Sequence, residues 1–110
     1  MHENEISGKI VDCSYKIHST LGPGLLESVY EEIICYELER NKIKYERQKA
    51  VPVKYENIFM EMGFRADLIV ENKIIVELKS VESVIPIHKK QLLTYLKLTN
   101  LKLGLLLILM

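Results

Sequence analysis

Arg65-Ala66-Asp67-Leu68-Ile69-Val70-Glu71-Asn72-Lys73-Ile74-Ile75-Val76-Glu77-Leu78-Lys79 reads as two β-strands around a polar turn. Apolar, β-branched runs flank Glu71-Asn72-Lys73, whose side chains favour a turn. Side chains alternate across a strand, so Glu77 and Lys79 share one face while Val76, Leu78 and Ser80 occupy the other. A three-residue loop pairs Val70 with Ile74 and sets Asp67 directly opposite Glu77. Their Cβ atoms then lie about 4.5–5.5 Å apart, where like charges repel. A two-residue loop would shift the register by one and send Glu77 to the other face. Two acids held that close call for a cation, and hard oxygen ligands suit Mg²⁺ or Mn²⁺.

Working outward, Glu5 to Thr20 carries apolar residues at helical steps, with Ile6, Ile10, Cys13 and Ile17 on one face. Gly22-Pro23-Gly24 breaks the chain, and a second helix runs from about Leu25 to Asn41. Lys44 to Tyr55 is one strand, or a bent pair around Pro52, and Ile58 to Val70 is the next. Ile74 to Val81 follows, then a third helix over Ile87 to Thr99 and a last strand over Leu103 to Leu109. The order is α-α-β-β-β-α-β, an α/β fold with a mixed sheet and helices on both faces. The final strand lacks polar alternation, as expected of one covered on both sides.

At 110 residues the whole chain is expected to be a single domain. Formal net charge is zero, so no global positive field attracts nucleic acid. Charge is unevenly spread all the same. Lys42, Lys44, Arg47, Lys49 and Lys54 cluster against Glu46 alone, and Lys89, Lys90, Lys97 and Lys102 against Glu82. Brought together these segments could meet a phosphate backbone; apart, they are solvated faces. The apolar run Leu103 to Met110 is too short to cross a membrane. Cys13 and Cys35 match no metal or redox spacing and read as reduced, packed thiols of a cytoplasmic protein.

Three further positions bear on chemistry. Ile34 and Leu38 lie about 20° either side of Glu27 on a helix, so Glu27 sits near the middle of an apolar stripe that includes Tyr30. A carboxylate on such a face is costly without a metal or a donor. A bond to the Gly22-Pro23-Gly24 turn, or the helix N-terminus, accounts for it equally well. His88, Gln91 and Tyr95 form one face of the third helix, with Leu92, Leu93 and Leu96 opposite. Gln91 and Tyr95 could engage a phosphate or a bound water, although a solvated face explains the row as simply. His18 reads as a structural histidine.

Gly24-Leu25-Leu26-Glu27-Ser28-Val29-Tyr30 spells G-x-x-E-x-x-Y, and the chain resembles the GxxExxY protein family, itself similar to the PD-(D/E)XK nuclease superfamily. The resemblance covers nearly the whole chain. It implies that Asp67 is the first acid and Glu77-Leu78-Lys79 the E-x-K element, with Ala66 where the superfamily name has proline. Gln91-Leu92-Leu93-Thr94-Tyr95 looks like its Q-x-x-x-Y motif, and Glu27 would fill the acid of the first core helix. It also implies a further segment after the last strand, so that the sequence reads as C-terminally truncated, and it leaves a homodimer open.

On that basis the expected activity is Mg²⁺- or Mn²⁺-dependent hydrolysis of phosphodiester bonds in DNA. The metal would be held by Glu27, Asp67, Glu77 and the Leu78 carbonyl. Lys79, Gln91 and Tyr95 would act on water and phosphate, and Lys89 and Lys90 would touch nucleic acid. The alternatives are a non-catalytic module that binds nucleic acid or protein, and a structural Asp67–Lys79–Glu77 ion-pair cluster, worth roughly 0–1 kcal/mol per pair at a surface.

Overall fold

The computed structural model describes residues 1–81 and 83–109. Glu82, and Met110 at the end of the apolar run, lie outside the described residues. Helices α1 (Glu3–Leu21) and α2 (Glu27–Arg40) precede strands β1 (Tyr45–Tyr55), β2 (Ile58–Val70) and β3 (Ile74–Lys79). Helix α3 (Pro86–Thr99) and strand β4 (Leu103–Ile108) follow. The order is the one read from the sequence.

The four strands line up in chain order, with β1–β2 and β2–β3 antiparallel and β3–β4 parallel. Only a crossover can return a parallel strand, and α3 supplies it. Ile6, Ile10, Cys13 and Ile17 of α1 and Tyr30, Ile34, Cys35 and Leu38 of α2 pack on one sheet face, against Leu68, Val70, Ile74, Val76 and Leu78. On the other face Leu92, Tyr95 and Leu96 of α3 cover Val51, Ala66, Ile69 and Ile75. Cys13 and Cys35 are buried free thiols, and burial pushes the Cys35 thiol up to about 11.

β1 is continuous but irregular. Its register against β2 shifts between Val51 and Val53, at Pro52, which has no N–H to give the ladder. β4 departs from expectation. It is an edge strand whose six residues are all partly exposed, because one side has no neighbouring strand and α3 covers a single face. Its apolar composition therefore reflects packing on both faces without full burial.

Candidate active site

The β2–β3 turn holds Glu71, Asn72 and Lys73, and Val70↔Ile74, Ile69↔Ile75 and Leu68↔Val76 pair around it. The regular pairing ends at that last rung, and beyond it the Asp67 carboxyl lies close enough to Glu77 to act on it. Asp67 is also where β2 changes face. Ala66 belongs to the α3-side cluster and Leu68 to the α1/α2-side cluster, although two residues apart in a regular strand they would share a side. The Asp67 Oδ2 accepts the Leu78 N–H at 2.8 Å.

Glu77 points to the α3 side and is 7 % exposed. Its Oε1 is the one buried side-chain polar atom among the described residues with no hydrogen-bond partner. Burial raises its carboxyl to about 8, helped by a hydrogen bond shared with Asp67 and by the Asp67 charge, while the Lys79 ammonium pulls the other way. Lys79, two residues on, makes no salt bridge among the described residues.

Tyr95 stands over this pair. Desolvation raises its phenol, and the charges of Glu77 and Asp67 add to the effect. Its ring stacks on Phe64 with centroids 3.8 Å apart and planes within 4°. The expected division of α3 is therefore corrected: Tyr95 shares the sheet-facing side with Leu92 and Leu96, while Leu93 is exposed. The reason is that the stripe facing the sheet is set by contact with Phe64 and Ile75, not by polarity alone. Gln91, one turn earlier, is exposed, as are Lys89 and Lys90; the His88 Nδ1 accepts the Ile85 N–H at 3.4 Å.

Glu27 approaches from the other side of the sheet. It is the first residue of α2 and exposed, so its placement within a buried stripe is corrected: burial on α2 begins at Tyr30, once the helix has reached α1 and the sheet. Its Oε2 accepts the Ser80 N–H at 2.9 Å, just beyond Lys79, rather than a donor of the Gly22-Pro23-Gly24 turn. Glu27, Asp67 and Leu78 line one cleft of about 150 Å³ with Ser28, Glu31 and Gln48.

Among the described residues no three His, Cys, Asp or Glu side chains stand close enough to form a metal cage by themselves. The residues do fit a hard divalent ion. Asp67 and Glu77 offer carboxyl oxygens, one buried Glu77 oxygen is unpaired, and Mg²⁺ commonly uses one or two carboxylates and keeps waters for the rest.

Residues 4–109 match the model of the PD-(D/E)XK nuclease superfamily. The chain belongs to that superfamily. Comparison with curated proteins and with solved structures returned no match. The mixed α/β core described above agrees with that membership. No helix among the described residues is long and apolar enough to cross a membrane.

Sequence reasoning missed three residues near this cleft. Glu31 is 7 % exposed, and its carboxylate accepts from Arg47 and Gln48. Its position one turn after Glu27 was the only available signal. The basic segment 42–54 is also less free than its composition suggests, since Arg47 turns to Glu31 and Glu32, and Lys49 to Glu46.

Proposed function

We propose that the chain is a nuclease that hydrolyses phosphodiester bonds in DNA with Mg²⁺ or Mn²⁺ as cofactor, and that within its superfamily it is a GxxExxY protein. The observation that carries this reading is the unpaired, buried Glu77 Oε1 beside Asp67. A buried carboxyl oxygen in that state costs stability in the free chain, and the group gains a partner when a cation takes the place of its proton.

Asp67, Glu77 and the Leu78 carbonyl would hold the ion, with Glu27 completing the set from α2. When bound, the ion supplies Lewis acidity toward water and the scissile phosphate. Lys79 would place its ammonium against charge developing on the phosphate. Tyr95 and Gln91 would orient the phosphate from α3, and Lys89 and Lys90 would meet the backbone of the strand. A cytoplasmic setting fits the two buried thiols.

The test is a titration of Mg²⁺ and Mn²⁺ with labelled DNA and RNA substrates. Cleavage of DNA should appear with metal and stop with EDTA. Asp67→Ala should lower the rate by a factor on the order of 10²–10³. Lys79→Ala should lose cleavage while keeping its melting temperature and Mn²⁺ affinity. A mobility shift of DNA with no cleavage at any metal concentration would make the chain a binding module instead.

A further inference from the structure

Gln48 is the only non-glycine residue within a strand, among the described residues, whose backbone enters the left-handed region, at φ +48°. The other five lie in turns or at a helix end. Such a conformation is strained for a side chain with a Cβ and persists only where its surroundings hold it.

The surroundings show what the distortion achieves. Neighbouring residues of a regular strand point to opposite faces, so Arg47 and Gln48 could not both reach one carboxylate from an undistorted β1. Here they do. Gln48 Nε2 donates to Glu31 Oε1 at 2.7 Å, while Arg47 donates to Glu31 Oε2 through Nη2 at 3.1 Å and Nε at 3.3 Å. Arg47 Nη1 also reaches Glu32 Oε2 at 2.8 Å. Glu31 is nearly buried, so its charge is matched by this pair of donors rather than by water.

The location is equally specific. Arg47↔Leu68 and Lys49↔Ala66 bracket Gln48, so it stands at the rung of Asp67, where β2 changes face. Glu31 lies one turn beyond Glu27 on α2. All four residues line the same cleft.

We propose that Gln48, with Arg47 and Glu31, is a positioning clamp that fixes α2 against β1 and so sets Glu27 at the right spacing from Asp67 for a divalent ion. The inference rests on the metal-dependent reading above. Gln48 and Glu31 are positioning residues that hold the groups on either side of the cleft.

The experiment is calorimetric titration of Mn²⁺ into the full chain, alongside thermal unfolding. Gln48→Gly removes the amide and relieves the backbone at once, since glycine adopts positive φ freely. Its melting temperature should equal or exceed that of the unmodified chain, while the Mn²⁺ Kd rises about tenfold, as for loss of an outer-sphere partner. A residue serving the fold alone would give the reverse, a lower melting temperature with unchanged Kd. Gln48→Glu alone places a carboxylate against Glu31 and should weaken Mn²⁺ binding further. The swap Glu31→Gln/Gln48→Glu keeps one carboxylate facing one amide and should recover affinity relative to that single variant. Equal Kd values for Gln48→Gly and the unmodified chain overturn the clamp and leave the nuclease reading standing. No Mn²⁺ binding by the unmodified chain overturns both.

Discussion

Between the ordinary glutamate value of 4.5 and about 8, folded Glu77 holds a proton that the unfolded chain has released. The folded state therefore binds more protons in that window, and stability falls as pH rises through it. The effect is on the order of a few kcal/mol, because the group is almost wholly buried. Glu77→Gln should flatten this slope and raise the metal-free stability above pH 8, read by urea unfolding at pH 5, 7 and 9. A slope unchanged in the variant would assign the pH dependence to other groups. The three-residue turn and the register it sets were legible in the sequence as far as the Leu68↔Val76 pair, whereas strand parity does not carry through Asp67, where β2 changes face. The exposure of Glu27 was not, since an apolar stripe drawn on a helical wheel does not say on which turn contact with the sheet begins. Gln48 left no trace, because positive φ is announced by Gly or Asn and glutamine gives no such signal.

Among the secondary elements, α3 sits closest to the sheet where β4 has no side chain. A Cβ on Gly104 would lie 2.8 Å from Leu92 Cδ1 and 2.9 Å from its Cγ. Gly104→Ala should therefore push α3 away from β4 and cost about 1–3 kcal/mol. Thermal unfolding should show a fall of several degrees. Because Tyr95 rides on the same helix, DNA cleavage should fall with it; full activity at reduced stability would separate α3 from the site. The helices and strands themselves were well marked by periodicity, and their bounds shifted by only a residue or two. β4 was misjudged because an unbroken apolar run reports two covered faces and is silent about a missing edge neighbour.

For the molecule as a whole, zero net charge means that attraction for a polyanion depends on where lysines are presented. Arg47 and Lys49 are drawn into ion pairs with acids of this chain, which leaves Lys89 and Lys90, exposed at the start of α3, as stronger candidates. Replacing both by alanine should weaken DNA binding uniformly across sequences. It should also reduce the dependence of log K on log salt by about one per lysine. An unchanged salt slope, measured by fluorescence anisotropy, would place the phosphate contacts elsewhere.

Local rules were enough for the order of elements, the hairpin register around Glu71-Asn72-Lys73, and the family resemblance, because each depends on residues near in sequence or on strict alternation. Packing chose the rest. It inverted β2 at Asp67, turned Tyr95 toward Phe64, buried Glu31 between Arg47 and Gln48, and left β4 at an edge. Those outcomes follow from which surfaces meet across long stretches of chain, and pattern within a single segment carries no record of its distant neighbour.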